Sequence, residues 1–267
     1  MENTMSAHLL QQKNAVIFGA GGSIGAAVAK EFALQGARVY LAGRTEASLD
    51  AVTKQVATNG GKAESTVIDT LDDIAVNQYM DEVARQAGKI DVTLDLAGPR
   101  AREYGNGKNA VDLPVDEFMI PMAAMVRSRF ITARAAARHM AKQHSGVIIF
   151  VTGSPARPHV PGATAIGAAF AAMENLTMNL AFEVGPLGVR VVCLRTLANF
   201  DSRSIQDTIA LKEVYKDQAK ARFEQSNFLR TLCTVQDTAN AAVLIASDRG
   251  RMLTGTVVNA TAGAALD

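Results

Sequence analysis

The feature that most restricts the fold is a cluster of glycines between a short apolar run and a segment of helical spacing. The apolar run covers residues 14–18, and the glycines are Gly19, Gly21, Gly22 and Gly25. Glycine permits a tight turn, close packing of helix on strand and close approach of the backbone to a ligand. A helix that starts directly after such a turn presents free N–H groups to a phosphate. The pattern over residues 16–44 therefore favours a dinucleotide site, although a plain strand–helix turn also favours glycine.

Apolar runs alternate with segments of helical spacing along the whole chain. The runs lie at 14–18, 37–42, 63–68, 91–97, 146–152, 189–195 and 255–260. This alternation indicates a parallel sheet with helices on both faces, since strands buried on two sides read as nearly continuous apolar runs. We predict an α/β fold, a single-domain Rossmann-type doubly wound parallel sheet of about seven strands. The domain is expected to span 13–267, after a flexible leader at 1–12.

Composition restricts which binding partners and which cellular compartment are expected. Of the 267 residues 48% are hydrophobic and 20% charged, and the net charge of +1 provides no long-range attraction for nucleic acid. No run approaches the roughly 18 apolar residues of a membrane span, and the first twelve residues lack the pattern of a signal peptide. Cys193 and Cys233 lie in apolar segments and are expected to be free core residues. We predict a cytoplasmic protein that binds a small-molecule substrate but no nucleic acid, membrane or metal.

Several segments in the right order resemble the short-chain dehydrogenase/reductase family. The family turn T-G-x-x-x-G-x-G appears at 18–25 as FGAGGSIG, with Phe18 in place of the threonine and Ser23 in place of the middle glycine. The sequence IDVTLDLAG matches the family's I-D-V-L-V-N-N-A-G, with Asp95 and Leu96 replacing the asparagines. Further matches lie at 182–191 and 237–263. The resemblance implies hydride transfer between a nicotinamide cofactor and a small carbonyl or alcohol.

The resemblance places the cofactor contacts at the glycine turn and at the ends of the later strands. The expected residues are Gly19, Gly21, Gly22, Ser23, Ile24, Gly25, Arg44, Asp69, Ala97, Gly98, Arg195 and Thr196. Asp69 is expected to hold the adenine amino group. An NAD site usually has a carboxylate at the end of the second strand, whereas this chain has Arg44, whose guanidinium suits a 2′-phosphate. We therefore predict NADP rather than NAD, with a solvated or adenine-stacked Arg44 as the alternative.

The resemblance also assigns four catalytic positions, three of which hold apolar side chains. The family uses a tyrosine as acid, a lysine one helical turn later, a serine and an asparagine. In this chain those positions fall, in that order, on Ile166, Phe170, Ser154 and Met125. No tyrosine lies between Tyr104 and Tyr215, and no lysine lies between Lys142 and Lys212, so no shift restores the pair. The centre of the pocket is expected to be apolar.

Ser154, His159 and Tyr104 are the remaining catalytic candidates. His159 lies in a loop and histidine titrates near neutral pH, but a lone loop histidine is more often a surface residue. Tyr104 either packs over a loop or faces the substrate, and Arg195 either binds an anion or forms a buried ion pair. Two functions stay open. The first is an NADP(H)-dependent oxidoreductase with an attenuated site, and the second is an inactive dinucleotide-binding regulatory or assembly subunit.

Two further segments bear on substrate and assembly. Residues near 197–228 match the family's variable substrate lid. Helices predicted at 116–142 and 163–185 are rich in Ala, Met and Phe, and a helix that is apolar on most sides needs more than one buried face. The resemblance implies association through these helices, so we predict a symmetric homodimer or homotetramer.

Overall fold

The computed structural model describes residues 8–157, 160–211 and 216–266. Within them seven strands form one sheet in the order β3-β2-β1-β4-β5-β6-β7, and every neighbouring pair is parallel. The strands are β1 (Asn14–Phe18), β2 (Arg38–Gly43), β3 (Lys62–Val67), β4 (Val92–Asp95), β5 (Gly146–Gly153), β6 (Val189–Thr196) and β7 (Thr256–Ala260). The predicted seven-stranded parallel sheet is confirmed.

Helices cover both faces of this sheet, because successive strand side chains point to opposite sides. The helices of the described residues are α1 (Ser23–Leu34), α2 (Glu46–Thr58), α3 (Asp73–Ala87), α4 (Val115–Pro121), α5 (Arg127–Lys142), α6 (Thr164–Val184), α7 (Arg203–Leu211), α8 (Lys216–Gln225) and α9 (Val235–Ala246). Ile17 belongs to a core shared with α1, α2 and α9, whereas Val16 and Phe18 belong to a core shared with α3, α5 and α6. The doubly wound arrangement is therefore the predicted one.

The order of the strands fixes where a ligand can bind. Strand β1 pairs with β2 on one side and with β4 on the other, so the chain reverses its direction of travel across the sheet at this point. The crossovers leaving β1 and β4 diverge onto opposite faces and open a crevice at the carboxyl ends of the strands.

The helix predicted over 116–142 is interrupted. A π-helical turn at Met122–Val126 separates α4 from α5, directly after Pro121. Proline has no N–H and its ring displaces the preceding carbonyl, and π turns inside helices often occur at functional sites. Met125 lies in this turn, so the turn determines how that side chain enters the crevice.

The part of the predicted leader that the structure describes packs on the domain. Leu10 is fully buried in the core, and its backbone N–H donates to Gln35 O at 2.9 Å. Residues 1–7 lie outside the described residues, so the leader remains a prediction only there. Cys193 and Cys233 are buried and free, which confirms that prediction. None of the helices in the described part of the chain has the length and apolar composition needed to cross a bilayer.

Candidate active site

A cleft of about 970 Å³ opens at the carboxyl ends of the central strands. Its walls come from the glycine turn after β1, the ends of β4, β5 and β6, and the helices α6, α7 and α8. Most of the residues predicted to contact a cofactor line it, namely Gly19, Gly21, Gly22, Ser23, Ile24, Gly25, Arg44, Ala97, Gly98 and Thr196. The fold therefore brings together residues that are up to 177 positions apart in the sequence, from Gly19 to Thr196.

The glycine turn has the geometry that a dinucleotide pyrophosphate requires. Gly19 has a φ of +73°, and a β-carbon there would lie 2.5 Å from Ala97 N, just beyond the end of β4. A β-carbon on Gly25 would lie 2.4 Å from Gly19 O. Helix α1 starts at Ser23 without a side-chain cap, so its first N–H groups are available to an anion. The residues present fit a dinucleotide phosphate.

The end of the cleft next to β2 carries a positive charge. Arg44 lines the cleft, is exposed, and forms no ion pair with the described residues. Asp69 is exposed and its carboxylate accepts a bond from Leu71 N at 3.0 Å, while its neighbours Ile68 and Thr70 line the cleft. Arg44 and the residues on either side of Asp69 thus line the same end of the cleft, whereas Asp69 itself is not among the lining residues.

The centre of the cleft is an apolar cluster. Met125, Ile166 and Phe170 all line the cleft and pack in the same cluster, together with Tyr104. The side chain of Met125 lies 3.5 to 3.7 Å from the position of a β-carbon on Gly98. No side chain at these three positions can donate a proton or hold a ribose hydroxyl.

Two hydroxyl candidates line the same cleft. Ser154 is buried at the end of β5, and Tyr104 is buried beside Ile166. Burial raises the pKa of Tyr104 to about 12, so the phenol stays protonated at neutral pH. His159 lies outside the described residues.

Arg195 occupies a different place from the predicted cofactor contact. It is fully buried, and its Nε and Nη2 bond the two carboxylate oxygens of Glu174 at 2.7 and 2.9 Å. Thr152 Oγ1 donates to the same carboxylate at 3.2 Å, and Arg157 lies 3.6 Å from it. Arg195 is not among the residues that line the cleft. The ion pair therefore replaces the predicted cofactor contact, because the guanidinium fork already binds a carboxylate.

The predicted lid lies over the cleft and is tied to the glycine turn. Helices α7 and α8 fall within 197–228, and residues from both line the cleft. Ser23 Oγ accepts a bond from the backbone N–H of Arg203 at 3.0 Å, and Asn106 donates to Thr208 Oγ1 at 3.1 Å. The hydroxyl of Ser23, one of the predicted cofactor contacts, thus anchors the start of the lid.

A buried arginine in the cleft wall was not among the predicted site residues. Arg129, on α5, is 2% exposed and lines the cleft. It lies 3.6 Å from Asp95 and donates to Ala97 O. The sequence held one signal for it. A carboxylate on a buried strand, where the family has asparagine, needs a buried partner.

Known proteins resemble this chain over nearly its whole length. A family model described as enoyl-(acyl carrier protein) reductase matches residues 19–265. The 7alpha-hydroxysteroid dehydrogenase of Escherichia coli (strain K12) is 28% identical over 254 residues, which are 95% of this chain and 94% of that protein. A short chain dehydrogenase from Burkholderia cenocepacia J2315, solved in complex with NADP, is 25% identical with a TM-score of 0.81, covering 96% of this chain and 99% of that one. An NAD⁺-bound xylitol dehydrogenase, 23% identical with a TM-score of 0.85 over 94% of this chain and 98% of that one, has the same fold.

Proposed function

The chain belongs to the short-chain dehydrogenase/reductase family, and we propose that it is an NADP(H)-binding oxidoreductase with an attenuated active site. The observation that carries the proposal is the apolar cluster of Met125, Ile166 and Phe170 beside an intact glycine turn. A bound nicotinamide dinucleotide would supply the hydride, and the protein would orient the substrate and move the proton. The substrate class is a small carbonyl or alcohol.

Preference for the phosphorylated cofactor rests on Arg44. Its exposed guanidinium has no carboxylate partner among the described residues, and a 2′-phosphate would provide one. The complex of the Burkholderia cenocepacia relative with NADP supports this choice.

Proton transfer would depend on the two hydroxyls that remain. Ser154 would donate a hydrogen bond to the substrate oxygen from the end of β5. Tyr104 is the available phenol, but burial raises its pKa, whereas a lysine in the family's arrangement lowers the pKa of the acid. A weaker acid gives less proton-transfer driving force, so chemistry through Tyr104 or water would be slow.

A ketone panel assayed with NADPH tests the proposal. Loss of a positioned proton donor costs about 10²–10⁴ in rate, so we expect kcat to be lower by that factor than the roughly 10 s⁻¹ typical of enzymes. Tyr104→Phe should lower the residual rate further. A kcat near 10 s⁻¹ for the unmodified protein would overturn the attenuated site.

A second candidate is a dinucleotide-binding subunit without redox activity. The apolar cluster favours this candidate because its side chains cannot donate a proton. Exposed apolar side chains on α5 and α6 favour a role in assembly. Phe182 is 85% exposed, and Phe130 and Met178 are each nearly half exposed. NADPH binding without turnover, unchanged by Tyr104→Phe, would distinguish this candidate from the first.

A further inference from the structure

Arg129 is a buried cation with unused hydrogen-bond donors. Among the described residues, the guanidinium of Arg129 makes one hydrogen bond, from Nη1 to the backbone oxygen of Ala97. The Nε atom is buried without a partner among them. Burial lowers the pKa of Arg129 and the nearby Asp95 opposes that effect, but an arginine stays protonated in either case.

Asp95 lies 3.6 Å from Nη1 of Arg129 and forms a buried ion pair with it. Its carboxylate also accepts bonds from Ser128 Oγ, from Thr132 Oγ1 at 3.2 Å and from Ala97 N at 2.8 Å. Every one of these groups is buried or partly buried. Both carboxylate oxygens of Asp95 are therefore hydrogen-bonded, and Arg129 retains donors that the described residues do not use.

The position of Arg129 indicates which part of a ligand it would meet. Ala97, which it bonds, lies against Gly19 of the glycine turn, and Gly98 lies against Met125. Met125 is one helical turn before Arg129 and belongs to the apolar cluster with Ile166. Arg129 thus lies between the phosphate turn and the catalytic centre, at a different part of the cleft from Arg44.

The cleft offers no equivalent cation among the described residues. Four other arginines line it, and all are exposed, namely Arg44, Arg100, Arg203 and Arg222. A buried donor without an acceptor costs free energy that a ligand oxygen can recover, and a desolvated charge makes the bond stronger. An acceptor on the ligand is therefore favoured at Arg129.

We propose that Arg129 binds an acceptor oxygen in the nicotinamide half of the dinucleotide. It would supply from α5 the positive charge that the family's lysine supplies from the helix holding Phe170. This inference rests on the proposed cofactor binding. It assigns a binding residue at a position where the family resemblance assigns none.

Binding of NADPH and of 2′,5′-ADP, which lacks the nicotinamide half, tests the inference. A single loss of Arg129 would leave Asp95 buried and unpaired, so the test variant is Asp95→Asn with Arg129→Leu. The matched control is Asp73→Asn with Arg134→Leu, an ion pair that joins α3 to α5 outside the cleft. We expect the test variant to weaken NADPH about ten-fold to a hundred-fold, as for a lost hydrogen bond to a charged group, and to leave 2′,5′-ADP unchanged. The control should change neither.

The outcomes separate this inference from the cofactor proposal. If the unmodified protein binds neither ligand, the cofactor proposal fails. If it binds both and the test variant keeps the same ratio of affinities, the role of Arg129 is refuted. Should the variant not fold, the Arg129 Nε–H resonance of ¹⁵N-labelled protein gives a second measurement. It should move with NADP⁺ but not with 2′,5′-ADP, and an unmoved resonance would refute the role.

Discussion

The ring of Phe170 lies directly on the backbone of Gly153, so that a β-carbon on the glycine would be 2.9 Å from the ring atom Cε2. This contact covers the end of β5 next to Ser154 with an aromatic surface. The family resemblance assigns that place to a lysine that would hold the cofactor ribose and lower the pKa of the acid. The contact fills the space with a side chain that can do neither.

Restoring the acid pair should raise turnover. In Ile166→Tyr with Phe170→Lys, a phenol and a cation would stand one turn apart on α6 and face the cleft. We expect at least a ten-fold gain in kcat for ketone reduction with NADPH, part of the 10²–10⁴ that a placed donor contributes. Ile166→Phe with Phe170→Met is the control for size. Equal kcat values for the two double variants would contradict the proposal that Ile166 and Phe170 stand in place of the acid and the lysine.

Removing the positive charge of Arg44 should weaken the binding of NADPH much more than that of NADH. Arg44→Ala should weaken NADPH about ten-fold to a hundred-fold and NADH by less than about two-fold, because only the phosphate loses its charged partner. Fluorescence titration measures both. Arg251→Ala removes an exposed arginine outside the cleft and should leave both affinities unchanged. A comparable loss for the two cofactors would exclude a 2′-phosphate contact.

Burial of Tyr104 should appear in the alkaline stability of the protein. Its pKa rises from the usual 10.0 to about 12, so between these values the unfolded chain has lost a proton that the folded chain keeps. The free energy of unfolding therefore falls as pH rises through this window, with no contribution below it. Tyr104→Phe should flatten the slope by up to about 1.4 kcal/mol per pH unit in denaturant titrations. An unchanged slope would mean that Tyr104 is not desolvated.

The central strands of the sheet were predictable because they are buried on both faces. β1 matched its predicted bounds, and β5 and β6 differed by one residue at the C-terminal end. The pairing of Arg129 with Asp95 was not predictable in the same way, because an arginine in a helix normally faces solvent. Only the packing of α5 on the end of β4 brings the two together. The π turn at Met122–Val126 depends likewise on tertiary context, although Pro121 marked the place.

Assembly should depend on the exposed apolar face of α6. Met178 and Phe182 are one turn apart and are 44% and 85% exposed, an arrangement that favours burial against a second copy. Phe182→Glu should shift the mass measured by light scattering from a dimer or tetramer towards the monomer. Glu183→Gln changes an exposed neighbour without removing apolar surface and should leave the mass unchanged. A monomer mass for the unmodified protein at working concentration would refute this assembly.

Calorimetric titration of the unmodified protein with NADPH and with NADH measures whether the cleft binds the proposed cofactor. We expect saturable binding of NADPH and weaker binding of NADH, since Gly19, Gly25 and the uncapped start of α1 fit a phosphate and Arg44 would contact the 2′-phosphate. Absence of heat with both cofactors would contradict the proposed cofactor site, and equal affinities for the two would contradict the proposed role of Arg44.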